Sequence, residues 1–374
     1  MPSIDHFNKM DQSIKDLIEI SRYYGANKEY VLAGGGNTSY KDSTQLFIKA
    51  SGISLATIDE DGFVCLSREG LKKISTSTYS SNAQEREEEV KRDLNACVCS
   101  KNGKRPSVET SLHEIIDYPF VVHTHPTLVN AVLCSKQGRE KISNWFQNKA
   151  IFVEYTDPGY VLFKKVMEMI GQYKVTFHST PQLIFLENHG VFVAANTIAE
   201  IMALYNMVMQ KISNELVVRL PDPTLTIDKE NTFSSIASAT GKKTLFVSNK
   251  LILHFASDRE AFENIAYPFT PDNIVYCKSK YLFVENDHQL TGEIQDFEKK
   301  NGYPPKVVVL RGKGLLTLED TDRAAQTVCE VFEDMMQISY LSDNFGGPQF
   351  MTPAQIAFID NWEVENYRRK IAKE

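Results

Sequence analysis

The stretch Val121-Val122-His123-Thr124-His125-Pro126 joins an apolar run to two histidines and ends in proline. The run predicts a buried strand that the proline terminates. Side chains two residues apart on a strand point to the same face, so the imidazoles of His123 and His125 can converge on one point. Such a pair is typical of a divalent-metal site, but two hydrogen-bonded core histidines fit the stretch equally well.

The composition sets broad limits on the kind of protein. The chain has 374 residues, is 42% hydrophobic and 24% charged, and carries a net charge of −7. This predicts a globular protein of one or, preferably, two domains, whose partner is neither nucleic acid nor membrane. The first residues lack the apolar core of a signal peptide, and the apolar runs fall short of the ~20 residues of a membrane span. Six cysteines without a small secreted framework favour reduced thiols, so we expect a cytoplasmic protein.

Strand-like and helix-like segments alternate along the whole chain, which predicts an α/β fold. Two prolines bracket a turn residue in Leu220-Pro221-Asp222-Pro223, and this is the best candidate for a domain boundary. We therefore predict a catalytic domain over residues 1–220 and a C-terminal α/β domain over residues 221–374.

One stretch of sequence in the C-terminal part resembles a stretch in the N-terminal part. Residues 306–316 resemble residues 182–192, and each stretch is followed by a threonine and a long helix that contains alanine. If this is a degenerate repeat, Lys313 stands where His189 stands, and a protonated lysine cannot be a metal ligand. The pattern also recurs by chance, so an oligomerisation domain is the alternative.

Two further residues extend the histidine pair into a candidate catalytic centre. His189 lies between two apolar strands in Glu187-Asn188-His189-Gly190, where the glycine allows close backbone approach. Three histidines with an open coordination position would make a catalytic metal site. Glu109 opens a helix just before the histidine strand and is the candidate acid/base, unless it only caps that helix. His113, four residues later on the same helix face, is predicted to be a packed, hydrogen-bonded histidine, with a further ligand or a partner of a ligand as the alternatives.

Three polar clusters are candidate anion donors, although turns of this composition are usually only turns. They are Gly36-Asn37-Thr38-Ser39, Ser51-Gly52 and Ser107.

Taken together and in this order, the stretches quoted above resemble the class II aldolase/adducin family over roughly residues 10 to 220. The resemblance implies a three-layer α/β/α fold with a mixed, largely antiparallel sheet, and a tetramer with active sites at subunit interfaces. It also implies a zinc ion held by His123, His125 and His189, and an acid/base at Glu109. The phosphate-binding groups that it implies are Asn37, Ser51, Gly52 and Ser107.

Two stretches are similar to the aldolase half of bifunctional rhamnulose-1-phosphate aldolase/dehydrogenase proteins. They are Arg105-Pro106-Ser107-Val108-Glu109-Thr110 and Gly347-Pro348-Gln349-Phe350-Met351-Thr352. The chain stops before any dehydrogenase half, so we expect no nicotinamide activity. One departure concerns Val108, which stands where fuculose-phosphate aldolases have a second serine and removes one donor from the phosphate site.

The resemblance implies a metal-dependent aldehyde-lyase. Its substrate would be a ketose 1-phosphate, preferably L-rhamnulose 1-phosphate, cleaved to dihydroxyacetone phosphate and an aldehyde through a metal-stabilised enediolate. A sugar-phosphate epimerase or dehydratase on the same metal site is one alternative. A non-catalytic, adducin-like assembly module is the other, and the presence of all three histidines with Glu109 argues against it.

Overall fold

The structure, a computed structural model, describes residues 4–100, 103–224, 226–227 and 233–362, without the side chains of residues 4–10 and 227. The chain forms two compact units. Unit 1 contains the residues up to Val129 together with Arg139–Asn214, and unit 2 contains Asn130–Gly138 and the residues from Glu215 onward. The predicted boundary at residue 220 lies six positions beyond the end of unit 1, and the roles predicted for the two domains stay predictions.

Secondary structure up to Asn214 alternates between strands and helices, as the sequence pattern indicates. The strands are β1 (Asn37–Lys41), β2 (Gln45–Lys49), β3 (Phe63–Ser67), β4 (Phe120–Thr124), β5 (Ala150–Val153), β6 (Leu183–Leu186) and β7 (Gly190–Ala195). The helices are α1 (Ile4–Gly25), α2 (Arg68–Thr76), α3 (Ala83–Ala96), α4 (Thr110–Ile115), α5 (Thr127–Leu133), α6 (Gly138–Phe146), α7 (Tyr160–Phe177) and α8 (Ile198–Asn214).

Seven strands of the described residues form one sheet in unit 1, in the order β3-β2-β1-β4-β7-β6-β5. Within that sheet β5 and β6 run parallel, and every other neighbouring pair is antiparallel. The predicted mixed, largely antiparallel sheet is confirmed. Strand β4 lies at its centre, and all five of its residues are buried. This explains why the stretch before Pro126 reads as an apolar run instead of an alternating one.

Helices cover both faces of this sheet, so unit 1 has the predicted three layers. On one face α4 and α7 pack on β4 to β7 in a core that includes Leu112, Val121 and Phe163. On the other face the hydroxyl groups of Ser21 in α1 and Thr38 in β1 lie 2.7 Å apart. Residues of β4 therefore alternate between the two helical layers, and the layer of α4 and α7 is the one toward which His123 points.

Unit 2 is also α/β. Its strands are β8 (Thr226–Ile227), β9 (Lys243–Ser248), β10 (Leu282–Val284), β11 (Val307–Leu310) and β12 (Gly314–Glu319). Its helices are α9 (Ser234–Thr240), α10 (Lys250–Phe255), α11 (Arg259–Glu263), α12 (Pro271–Cys277), α13 (Leu290–Asn301), α14 (Asp322–Ser342) and α15 (Pro353–Asn361). Five strands of the described residues form its sheet, in the order β10-β11-β12-β9-β8.

The distinctive Gly347–Thr352 stretch has a structural role inside unit 2. Pro348 forms an isolated β-bridge with Ser135, and the Gln349 N–H donates to the Cys134 carbonyl over 2.8 Å. These backbone bonds attach residues 130–138 to the C-terminal part of the chain.

Among the helices of the described residues, none combines the length and the apolar composition that a membrane span requires.

A buried tyrosine ties α8 to the histidine strand and allows a stability test. The Tyr205 hydroxyl donates to the Val122 carbonyl over 3.2 Å and lies 2.8 Å from the Thr124 hydroxyl. Replacing Tyr205 with Phe leaves both partners buried without this bond, so we expect a loss of about 1–3 kcal/mol in the free energy of unfolding, measured by urea denaturation. The control Tyr23→Phe changes a half-exposed side chain. Equal midpoints for the two variants would contradict the assignment.

Candidate metal centre

The first two histidines of the site come from the end of the central strand. His123 pairs with Phe192 of β7 in the sheet register and stacks on its ring, with 4.0 Å between the ring centroids. His123 is fully buried, whereas His125, just beyond the strand, is partly exposed. The Nε2 atoms of the two imidazoles lie 3.0 Å apart. The strand therefore brings both rings to one point, as its period of two residues predicts.

A backbone carbonyl sets which nitrogen of His123 faces the site. Nδ1 of His123 lies 3.0 Å from the Val191 carbonyl, which can only accept a hydrogen bond. Nδ1 must therefore carry the proton, and Nε2 presents its lone pair to the centre. This is the state in which an imidazole binds a metal ion.

The third histidine lies in the tight turn between β6 and β7. Asn188 adopts a left-handed conformation with φ of 53°, and the His189 N–H donates to the Leu186 carbonyl over 3.2 Å. The turn directs the imidazole of His189 at the other two rings. Ligand nitrogens of the three histidines all lie within 4.8 Å of one another, which forms a three-histidine cluster capable of holding a metal ion.

Glu109 faces this cluster. It is the residue before α4, and its side chain makes no capping hydrogen bond, so a purely capping role does not describe it. Its Oε1 lies 3.4 Å from Nε2 of His123 and 3.5 Å from Nε2 of His189. Its Oε2 accepts a hydrogen bond from the Asn37 amide over 2.5 Å. The carboxylate is thus held by one oxygen while the other points at the histidines.

The residues fit a divalent metal ion. Oε1 of Glu109 is buried and has no hydrogen-bond partner, which is costly for a polar atom unless a ligand satisfies it. It is directed at three clustered imidazoles, and neutral nitrogens with one carboxylate are the donor set that zinc and similar ions prefer. Residues His123, His125 and His189 would hold the ion, with Glu109 beside it.

A chain of buried hydrogen bonds fixes the Asn37 amide. His113 is fully buried, and burial, reinforced by His123 and Lys41, lowers the pKa of its imidazole well below the usual range. The neutral ring bonds the Ser39 hydroxyl through Nδ1 over 2.7 Å and the Asn37 side-chain oxygen through Nε2. Nε2 must donate, because a carbonyl oxygen only accepts. This turns the Asn37 NH₂ group toward Glu109.

The sequence predicts a phosphate contact for Asn37 and does not predict its bond to Glu109. For His113 it predicts a packed, hydrogen-bonded histidine, with a metal ligand or a partner of a ligand as the alternatives, and the structure places this buried, hydrogen-bonded histidine outside the three-histidine cluster. A signal was present in the sequence. His113 is one helical turn from Glu109, and Ser39 shares a strand face with Asn37. What the sequence lacks is the pairing of β1 with β4, which sets Asn37 opposite His123.

The predicted phosphate-binding residues lie close to this network. Ser107 is 9% exposed, and its hydroxyl accepts from the Asn37 amide over 3.3 Å and from the Glu109 N–H over 3.2 Å. Ser51 follows β2, and its N–H donates to the Arg105 carbonyl over 2.9 Å. An adjacent bridge between Ala50 and Pro106 brings the turn that contains Gly52 beside the segment before Ser107. Asn37 and Ser107 therefore contact Glu109 directly, and Ser51 and Gly52 lie beside the segment that leads to Ser107.

The fold and the three-histidine cluster define the class of protein. The sequence model for the class II aldolase and adducin N-terminal domain matches residues 15–212, more than half of the chain. The chain belongs to this family.

Individual relatives are more distant. The uncharacterized oxidoreductase YuxG of Bacillus subtilis is 27% identical over 198 residues, which are 50% of this chain and 27% of YuxG. The chain thus spans about a quarter of that relative. The class II aldolase domain of a Thermoplasma acidophilum protein is 25% identical, with a TM-score of 0.46 over 54% of this chain and 92% of its own. An L-fuculose-1-phosphate aldolase from Thermus thermophilus is 13% identical, with a TM-score of 0.35 over 53% of this chain and 92% of its own.

Because β7 approaches β4 closely at Gly190, a substitution there tests whether this packing positions the three histidines. A Cβ on Gly190 would lie 2.6 Å from both the Thr124 carbonyl oxygen and Cδ2 of His125. Since the backbone atom cannot yield, Gly190→Ala must displace the third histidine or turn the second. We expect at least about tenfold weaker metal binding, the loss typical when the support of metal ligands is disturbed, measured by metal content after dialysis against graded chelator.

Gly171→Ala is the matched control for this prediction. A Cβ at Gly171, exposed on α7, would meet no atom within 4 Å, so metal binding should not change and the helix should gain about 0.5–1 kcal/mol. Unchanged metal affinity in the Gly190 variant would show that close packing at this turn does not position the ligands.

Proposed function

We propose that the chain is a zinc-dependent aldolase that cleaves a ketose 1-phosphate, preferably L-rhamnulose 1-phosphate, to dihydroxyacetone phosphate and an aldehyde. The observation that carries the proposal is the buried Oε1 of Glu109, which faces three clustered histidines and has no hydrogen-bond partner. Membership of the class II aldolase and adducin family supports the reaction class. The resemblance of residues 105–110 and 347–352 to rhamnulose-1-phosphate aldolases supports the substrate.

The metal ion, Glu109 and Asn37 would have separate roles in the cleavage. A bound zinc ion would supply Lewis-acid stabilisation of the negative charge that develops on the substrate oxygens. As the C–C bond breaks, the hydroxyl that becomes the aldehyde carbonyl would lose its proton to solvent, and Glu109 would donate a proton through Oε1 to the carbon that keeps the electron pair. In the synthetic direction it would remove the same proton. Asn37 would keep Oε2 occupied so that Oε1 stays directed at the reacting carbon.

The phosphate group would lie against the turn after β2 and the segment before α4. Ser51, Gly52 and Ser107 would supply hydroxyl and backbone donors, with Asn37 linking Ser107 to Glu109. Val108 offers no hydroxyl at the position of a second serine, so phosphate affinity would depend on fewer donors. We further propose that the enzyme is a cytoplasmic homotetramer and that residues 1–220 are its catalytic domain.

Replacing Glu109 with Gln tests the acid/base assignment. The amide keeps the shape of the side chain but cannot exchange the proton, so we expect turnover to fall by about 10²- to 10⁴-fold. Cleavage would be followed by an assay coupled to dihydroxyacetone phosphate, with zinc content measured on the same sample. Near-normal turnover in a zinc-replete variant would contradict the role.

Glu168→Gln is the control carboxylate for this test, because Glu168 is exposed on α7 and bonds only its neighbour Gln172 in the described contacts. The substrate arms are L-rhamnulose 1-phosphate, L-fuculose 1-phosphate and a pentulose phosphate, each with and without chelator. A changed pentulose without release of dihydroxyacetone phosphate would favour the epimerase alternative. No bound metal and no metal-dependent thermal shift would favour the assembly module.

The hydrogen-bond chain to Glu109 predicts that His113 acts as a positioning residue. His113→Leu removes the donor that orients the Asn37 amide, so we expect kcat to fall about 10- to 100-fold, the usual effect of such supporting groups. Metal content should not change. His113→Gln carries an amide donor near the place of Nε2 and should restore much of kcat. If both variants lose activity equally, or if KM alone changes, His113 is structural and not positioning.

A further inference from the structure

We propose that unit 2 contains a second copy of the fold of unit 1 in which a hydrophobic core has replaced the metal site. The proposal concerns β8 with residues 233–342, and their counterparts β1 with residues 109–214. It implies that each chain binds one metal ion, in unit 1, and that unit 2 works without one.

Strand order and direction are the first support. The five strands β1-β4-β7-β6-β5 of unit 1 correspond in order to β8-β9-β12-β11-β10 of unit 2. In both sets the last two strands pair in parallel and all the others pair antiparallel. Several connections also agree, since an α-helix precedes β4 and β9 and one α-helix follows each of β5, β7, β10 and β12, whereas two α-helices join β4 to β5 and three join β9 to β10. Agreement of order, direction and connections goes well beyond a shared α/β class.

The register agrees residue by residue around the hairpin. Gly190 and Gly314 are 124 positions apart, and they pair with Leu186 and Leu310 at the same separation. The same spacing relates the residues of the turn with positive φ, Asn188 at 53° and Gly312 at 65°.

The backbone bonds around the turn follow the same correspondence. Glu187 N–H donates to the Val153 carbonyl and Arg311 N–H to the Val284 carbonyl, each over 3.0 Å. Ala194 N–H donates to Gln182 over 2.8 Å, and its counterpart Leu318 N–H donates to Lys306 over 2.9 Å.

The helices share the constant spacing. The residues that directly follow α7 and α13, His178 and Gly302, are both left-handed and lie 124 positions apart. Buried positions of α7 recur in α13, namely Val166, Ile170 and Tyr173 against Leu290, Ile294 and Phe297. From Val166 to Ala194, matched by Leu290 to Leu318, the spacing of 124 is constant, which the chance recurrence of a strand–turn–strand pattern would not produce. Outside this stretch it changes, to 131 between Val153 and Val284 and to 123 between His123 and Phe246.

The correspondence identifies what stands at each metal-site position. His123 pairs with Phe192 in the sheet of unit 1, and Phe192 corresponds to Leu316 at the spacing of 124. Leu316 pairs with Phe246, so Phe246 occupies the position of His123. Ser248, two residues on, then occupies that of His125. Lys313 occupies that of His189, and its amine forms an ion pair with Asp287.

The carboxylate has a counterpart too. Phe233 precedes α9 as Glu109 precedes α4. The rings of Phe233 and Phe246 pack with centroids 4.8 Å apart, against a buried cluster that includes Ile236 and Leu316. The place where Glu109 faces His123 in unit 1 is therefore filled by two aromatic rings in unit 2. The phenyl rings of Phe233 and Phe246, the hydroxyl of Ser248 and the paired ammonium of Lys313 cannot hold a metal ion as three imidazoles do.

Metal stoichiometry tests the proposal without any activity assay. Zinc-loaded protein should contain one ion per chain by elemental analysis. His189→Lys, which places in unit 1 the residue found in unit 2, should abolish that ion. Retention of one tightly bound ion per chain in this variant would show a metal site outside the three histidines and overturn the proposal.

A gain-of-function variant tests the geometric equivalence. In the His189→Lys background, Ser248→His with Lys313→His places two imidazoles at the counterparts of His125 and His189 while Phe246 and the core stay intact. We expect Ni²⁺ to bind at least about tenfold more tightly than to the background protein, because two convergent imidazoles chelate. The read-out is a thermal shift titration. No gain in a variant with the melting temperature of its background would overturn the equivalence.

A third measurement does not depend on introduced ligands. A Cβ on Gly314 would lie 2.5 Å from the Val247 carbonyl oxygen, as one on Gly190 meets that of Thr124. Gly314→Ala should therefore lower the melting temperature but leave the metal content at one ion per chain. Gly292→Ala is the control, since a Cβ there would meet no atom within 4 Å. Loss of the metal on Gly314→Ala would contradict a metal-free unit 2.

Discussion

The antiparallel pairing of β4 with β7 is the constraint on which the metal centre depends. It places the Val191 carbonyl where it fixes the tautomer of His123, and it brings Gly190 against the Thr124 carbonyl so that His189 closes on the strand histidines. The ligands are thus positioned by backbone pairing that also stabilises the sheet. A fault in this pairing would disturb stability and metal binding together.

Hydrogen bonds to the buried Glu109 carboxylate provide the second constraint on the site. Burying a carboxylate beside three histidines is unfavourable unless its oxygens are satisfied, and the protein satisfies one of them through Asn37. The neutral, buried His113 makes that amide a fixed donor, because it accepts from Ser39 and donates to Asn37. Glu109 is left with a single oxygen directed at the cluster, an arrangement that the proposed proton transfer would need.

Much of the fold follows from local pattern. The continuous apolar run before Pro126 indicates a strand buried on both faces, and its period of two residues places His123 and His125 together. The glycine after His189 indicates a turn that can approach another backbone closely. The sequence does not indicate locally which strands pair with each other. For this reason it predicts neither the bond of Asn37 to Glu109 nor the attachment of residues 130–138 to Gly347–Thr352. The proposed repeat is suggested in the sequence only by the resemblance of residues 306–316 to residues 182–192, and its extent is argued from strand order and register.

The pair of phenylalanines in unit 2 has a consequence for how the chain responds to metal loss. Binding free energy of an ion adds to the stability of the unit that folds around it, and clustered polar groups left without their ion weaken that unit. If unit 2 binds no ion, as proposed, removal of the metal ion would lower the stability of unit 1, whereas the packed rings of Phe233 and Phe246 would leave unit 2 unaffected. One half of the polypeptide would then depend on metal supply for its stability, and the other would not.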